Sequence, residues 1–280
     1  MDFTEVAGSW RPEPVEDEQV LDPAVGAAVA GLWNQPAPGE WLPPLWHWFH
    51  FLDWPAQSEI GGDGHPANGA YLPPLPDRTR MFAGGVWRQE SPLRHGEPVQ
   101  RRRNLVHATA KHGRSGELLF VRVRSELRQA GQRCQVEEQD IVYRSGPSTV
   151  DYRDVVPATE LPQAKESETA LPLHTNPPLL FRMSALTGNQ HRIHYDHPYV
   201  VDVEHYAGLV VHGPLLVLHM AELLRRSPGP APREIEFRLR APAFVGEPLA
   251  AIGEPAAGQA RALRVASTRE PTHATATVRW

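Results

Sequence analysis

The chain has 280 residues, 28 basic against 33 acidic side chains for a net charge of −5, and one cysteine, Cys134. That length supports two domains, or one large one, each with a real core. The acidic balance argues against a general binder of nucleic acid or anionic membrane, and a single cysteine excludes a disulfide framework and a thiolate zinc site.

Residues 1–19 are polar and acidic, with Pro12 and Pro14, and are expected to form a surface arm. Pro23 to Trp33 suits a helix opened by its proline. Trp41 to Trp54 carries Trp46, Trp48, Phe49, Phe51 and Trp54, expected as core or interdomain packing, with an acyl-binding wall as the alternative. Gly61-Gly62-Asp63-Gly64-His65-Pro66 has neither Walker nor Rossmann spacing and is expected as a turn cluster that could line a ligand groove. The proline-dense residues 71–79 cannot be a central strand. Strands are expected over Val86–Glu90, Val99–Thr109, Leu118–Leu127 and Gln135–Tyr143, where apolar residues alternate or β-branched runs occur. Arg101-Arg102-Arg103 is expected to be a solvated strand rather than a phosphate contact. Residues 145–178 hold six prolines and little apolar periodicity, the pattern of a linker.

The chemistry concentrates in residues 182–220. Asn189, His191, Arg192, His194, Tyr195 and Asp196 crowd six polar side chains into eight positions, more than a solvated loop needs or a core can easily bury. Gly208–Val211 is expected as a short buried strand, His212-Gly213 as a turn, and Pro214 as the start of a helix through Leu215, Leu218, Ala221 and Leu224. Gly213 would then offer its N–H at a helix N-terminus, where negative charge is favoured. An imidazole beside such an amide is the minimum equipment for forming and collapsing an enolate.

Further strands are expected over Glu234–Arg240, Ala260–Ala266 and His273–Trp280, after a breaker at Pro228–Pro232. Pro92 to Pro98 and Pro242 to Pro248 share the pattern P-x-x-x-G-E-P, each preceded and followed by strands. The repeat implies two related α+β units, each an antiparallel sheet with a helix packed on it. The helix from Pro214 to Arg226, apolar around most of its circumference, suits a helix wrapped by a sheet.

With those residues in hand, the chain resembles the MaoC-like, type-2 enoyl-CoA hydratase and hydroxyacyl-thioester dehydratase family. It is most similar to the two-domain branch with an N-terminal FAS1-like dehydratase domain, which includes mesaconyl-C4-CoA and itaconyl-CoA hydratases. The resemblance rests on G-G-D-G-H-P at 61–66, M-F-A-G-G at 81–85, P-L-R-H-G-E at 92–97, E-Q-D-I-V-Y-R at 138–144, S-A-L-T-G-N-Q-H-R-I-H-Y-D at 184–196 and G-L-V-V-H-G-P-L at 208–215. It implies a double hot-dog fold, two antiparallel sheets each wrapping a long helix. The expected divisions are a ligand-lining domain over 1–155, a linker over 156–178 and a catalytic domain over 179–280. It implies water addition to, or loss from, a 2-enoyl thioester, with a short branched dicarboxylyl-CoA preferred and a fatty-acid-type 3-hydroxyacyl dehydratase as the alternative.

The resemblance, together with the residues themselves, suggests roles for the site. His194 is the base and the Gly213 amide binds the thioester carbonyl. Asn189 positions the water. The broader family's motif has Asp where Asn189 stands; an amide cannot take a proton, which leaves Asp196 as the candidate to assist. Arg192 either binds a substrate carboxylate or pairs with Asp196 or a loop carbonyl. His191 orients the loop, His212 caps its turn, and Tyr195 is packing rather than catalysis. CoA is part of the substrate, and no other cofactor, metal, nucleic acid or membrane is expected. Zinc held by His191, His194, His197, His205 and His212 and a non-catalytic thioester-binding module are the competing readings. A soluble cytoplasmic protein is expected, since no run of about 18 uncharged apolar residues occurs and the N-terminus lacks signal-peptide character. It would act as a monomeric double hot-dog or a homodimer.

Overall fold

A computed structural model describes residues 2–67, 73, 75, 78–113, 116–145 and 150–280. Most of the proline-dense stretch 71–79 lies outside the described residues, as do residues 146–149 of the expected linker. No helix among the described residues is long and apolar enough to cross a membrane.

The first half contains helix α1 (Phe3–Ser9), strand β1 (Val15–Val20), helix α2 (Pro23–Ala30) and strands β2 (Arg78–Gln89), β3 (Pro98–Gly113), β4 (Gly116–Gln129) and β5 (Gln132–Ser145). The second contains β6 (Thr169–His174), helices α3 (Pro177–Thr187), α4 (His197–Asp202) and α5 (Gly213–Arg226), then β7 (Glu234–Leu239), β8 (Pro248–Gly253), β9 (Ala260–Ala266) and β10 (Ala274–Arg279). The strands form one antiparallel sheet in the order β1-β3-β4-β5-β2-β7-β10-β9-β8-β6. From the middle of the sheet outward, each half repeats the other in mirror order.

The P-x-x-x-G-E-P repeat marks a true structural duplication. Val20 pairs with Pro98 and Val15 with Arg103, just as His174 pairs with Pro248 and Thr169 with Gly253. Leu42 donates to the Leu93 carbonyl and His95 to that of Glu40; Val211 donates to Ala243 and Val245 to Leu209. Gly96 (φ 79°) and Gly246 (φ 90°) take the left-handed turn that each copy needs before its strand. The halves meet where β2 pairs with β7, from Gly84–Arg238 to Arg88–Glu234.

The segments that pair with the two copies lead into different structures. After Val211 the chain enters α5, which begins at Gly213-Pro214, ends on Arg225 and Arg226 paired with Glu222, and buries nine residues against β6, β8, β9 and β10. After Leu42 it makes only a short 3-10 turn, Trp46–Phe49. The hot-dog class holds, but among the described residues the first half has no long central helix. A polar knot fills part of that space: Glu137, buried, accepts from His47 Nε2 and Trp48 Nε1, each at 2.7 Å. Glu137→Ala strands both donors, so equilibrium unfolding in urea is expected to show a loss of about 3 kcal/mol; a loss below about 1 kcal/mol would sink this account.

Three expectations change. Residues 1–19 are not a loose arm: α1 buries Phe3 and Val6 against Leu119, Val121 and Tyr143, and β1 pairs with β3. Within 156–178 lie β6 and the first residues of α3, and Ala158 donates to the buried Glu247 carboxylate. Leu209–Val211 are buried but form only a single bridge, Val210 to Phe244. The aromatic stretch behaves as core through Trp46, Phe49 and Phe51, while Trp41 and Trp54 are exposed. Arg101, Arg102 and Arg103 pair with Asp17, Glu16 and Asp53.

Candidate active site

Helix α3 ends at Gly188 in the left-handed conformation, and the chain turns sharply. Asn189 Oδ1 accepts from the His191 N–H at 3.0 Å, a one-turn 3-10 helix spans Arg192–His194, and Asp196 caps α4 through the Tyr199 N–H. Val210 anchors this loop from the other side: its N–H donates to the Ile193 carbonyl, and its own carbonyl accepts from His194 Nδ1 at 2.7 Å. A carbonyl can only accept, so the His194 proton sits on Nδ1 and Nε2 is left bare.

The His194 ring stacks on His212, with centroids 3.6 Å apart and planes 15° from parallel. His212 immediately precedes α5. It does not cap that helix; its Nε2 meets Ser184 Oγ at 2.9 Å, and its buried Nδ1 has no partner. A β-carbon on Gly213 would meet the Leu239 side chain, which packs directly against it. Its N–H donates to nothing among the described residues. An imidazole acceptor and an unspent amide thus lie at one helix start. Burial pushes the His194 pKa down to about 4, so the ring is neutral near pH 7 and able to accept a proton. Burial, then the neighbouring His194 and His191, push His212 well below its ordinary value.

The first half reaches this loop through the Gly61–Pro66 turn. The Arg192 N–H donates to the Asp63 carbonyl at 2.9 Å, and Arg192 Nη1 to that of Gly62 at 2.8 Å. Gly64, at φ 90°, abuts the Gln190 carbonyl so closely that a β-carbon would collide with it. Asp63 accepts from the His65 N–H and contacts His65 Nδ1, both at 2.9 Å. The His65 ring packs 4.1 Å from His191, which meets His194 edge-on at 5.8 Å. Four imidazoles therefore run in a row from Asp63 to Ser184. Burial, then His65 and His194, push His191 down; burial opposes ionisation of Asp63, but its bonds from His65 outweigh that and hold it well below the usual carboxylate range.

Several expected roles change. Arg192 places Nε and Nη2 on Asp196 Oδ2 at 2.9 and 2.8 Å, Nη1 on Gly62, and its plane over the Tyr199 ring; it ties the halves together and is not free to fork a substrate carboxylate. Asp196 is spent on Arg192, which holds it below its usual range, and on capping α4, so it is not free to assist the base. Tyr195 is half exposed, its hydroxyl on the Gln190 carbonyl. His191 orders the loop through its backbone N–H, while its ring joins the stack. The competing zinc set is not assembled: His197 opens α4 and His205 lies beyond it, and among the described residues only His191 of the five belongs to a group with ligand-like spacing, with Asp63 and His65, whose atoms lie within 4.8 Å. In that group Asp63 is bonded twice to His65. Asp63, His65 and Leu239 join the site only in three dimensions; in the sequence, the G-G-D-G-H-P cluster is the signal that could have pointed to the first two, while Ser184 opens the 184–196 motif.

A sheet wrapped on a helix is the hot-dog fold, and a neutral imidazole at that helix's start suits an acyl-thioester hydratase or dehydratase, the hydro-lyase class to which the matching family belongs. The chain belongs to the family described as hydroxyacyl-thioester dehydratase type 2, whose model matches residues 45–245. It is 43% identical over 252 residues, 88% of this chain and 87% of the relative, to mesaconyl-C(4)-CoA hydratase of Chloroflexus aurantiacus. Its fold is shared with a MaoC-like dehydratase from Phytophthora capsici (TM-score 0.70, 11% identity, 96% of this chain and 95% of that one). It is shared also with HtdX of Mycobacterium tuberculosis (TM-score 0.64, 16% identity, 95% and 99%).

Proposed function

We propose that the protein hydrates a short, branched, carboxylate-bearing 2-enoyl-CoA of the mesaconyl-C4-CoA or itaconyl-CoA kind, giving citramalyl-CoA, with no cofactor beyond the CoA of its substrate. The observation that carries the chemistry is His194 with Nδ1 committed to Val210 and Nε2 bare, stacked beside the start of α5. The Gly213 N–H receives the thioester oxygen as negative charge builds there; one such donor contributes about 3 kcal/mol. Water loses a proton to His194 Nε2, its oxygen bonds to the β-carbon, and the proton returns from the imidazolium to the α-carbon. Asn189, with its carbonyl spent on the loop, directs its amide NH2 at that water. One chain already pairs two units, so the monomer suffices.

The identity to the mesaconyl-C(4)-CoA hydratase supports the carboxylate, and Arg80 is the cation for it. Arg80 lies two residues from Phe82 on β2, hence on the same face, where Phe82 packs against Trp48 and Phe237. It is close enough to His191 to oppose that ring's protonation, and no carboxylate among the described residues pairs with it. A screen following loss of the conjugated double bond is expected to favour carboxylate-bearing enoyl-CoAs over crotonyl-CoA. Arg80→Gln should cost the former about 100-fold in kcat/KM, with no comparable loss on crotonyl-CoA. Equal wild-type rates on both substrates would remove the carboxylate and leave the hydratase reading standing.

A further inference from the structure

The loop of the second half offers His194 no usable carboxylate. Asn189 is an amide, and Asp196, the one acid between residues 182 and 196, is bonded to Arg192 and to the α4 cap. Protonating a buried imidazole without a nearby anion is unfavourable. The carboxylate that adjoins the imidazole row is Asp63, and it comes from the other half of the molecule.

We propose that Asp63 and His65 form a positioning dyad for the reaction. Asp63 is the fixed counter-charge for the proton that His194 takes from water, and it acts through the His65–His191 stack. The inference rests on His194 being the base. The geometry is specific for such a role. Asp63 grips both the ring and the backbone of His65, setting the angle at which the ring meets His191. Gly64 and two bonds from Arg192 clamp the turn onto the very loop that carries His191 and His194, so the dyad cannot drift while the base is protonated.

The charge balance is simple. His191, His194 and His212 are neutral before the reaction, with Asp63 ionised. When the water O–H bond breaks, the proton goes to His194 Nε2 and the C=C electron pair moves to the thioester oxygen. His194 then gains one positive charge, one imidazole from His65 and two from Asp63. Return of the proton to the α-carbon restores the resting state. The titratable and charged groups facing the dyad are His191, His194 and Arg192 from the loop, Arg80 from β2 and Tyr199 from α4. Arg80 opposes the positive charge and Tyr199 is neutral near pH 7, so Asp63 is the anion among them, apart from Asp196, which Arg192 neutralises.

The test is Asp63→Asn and His65→Gln in the full chain, with kcat, KM and the pH profile of kcat/KM measured on the best enoyl-CoA of the screen. Asp63→Asn keeps the turn's shape and removes the charge. A base that has lost its counter-charge is harder to protonate and weaker, so kcat is expected to fall 10- to 100-fold, KM to stay within about twofold, and the acid limb to move to lower pH by about half a unit or more. His65→Gln should lower kcat similarly, and Asp63→Glu should recover part of the loss. Unchanged kcat in both variants overturns the proposal, as does a loss carried by KM or a loss of kcat with an unmoved acid limb. Wild-type activity should also survive exhaustive chelation; a loss restored by zinc would overturn the dyad in favour of a metal held by these residues. Inactive Asp63 variants beside a fully active His194→Gln would instead indict the base itself.

Discussion

His194→Gln lowers kcat by about three orders of magnitude while the protein stays folded and still binds acyl-CoA. Glutamine can keep a donor on the Val210 carbonyl, so the loop should hold, but it offers no nitrogen that takes a proton at neutral pH. General-base catalysis contributes about 10²- to 10⁴-fold. The wild-type pH profile is the companion result. Because burial pushes His194 down to about 4, the base is unprotonated across the neutral range. Activity should be flat from about pH 6 to 8 and fall only as the medium approaches that value, not near the 6.5 of a free imidazole. A loss of tenfold or less would remove His194 as the base; a folded wild type that binds enoyl-CoA without turnover would make the protein a binding module.

Gly64→Ala should also be damaging, although Gly64 carries no functional group. Its φ of 90° is strained for alanine, and a β-carbon would run into the Gln190 carbonyl. The Gly61–Pro66 turn must lift away, taking with it the Arg192 bonds to Asp63 and Gly62. Misplacing groups around the base in this way is expected to cost about 50-fold or more in kcat/KM, with far-ultraviolet circular dichroism unchanged because the sheet is untouched. Gly62→Ala is the control: a β-carbon there meets open space and should leave activity within about twofold. Wild-type-like kinetics for Gly64→Ala would show that docking of the first half does not matter to the site.

The second-half loop and the start of α5 were legible because both are local: side-chain density, a Gly-Pro boundary and an apolar helix are written in consecutive residues. The duplication was legible from seven positions. Two kinds of feature escaped. Strand β1, Val-Glu-Asp-Glu-Gln-Val, is an exposed edge whose charges are answered by Arg101 and Arg102 across the ladder, and β6 carries Pro172, which an edge tolerates; neither resembles a core strand. Long-range pairing escaped as well. Nothing near Arg192 says whether its guanidinium meets Asp196 or a substrate, and nothing near Asp63 says that a loop about 130 residues away completes its surroundings.

Two identical subunits must build the same pocket twice, each compromise included, whereas a fused pair is released from that symmetry. Here one copy kept the long helix, while the other dispensed with it over Pro43 to Phe49 and sent the chain beyond across the seam as a brace for its sibling's loop. Separate expression of either half should therefore give a polypeptide without turnover, and tolerance to substitution should be distributed unequally between corresponding positions of the two copies.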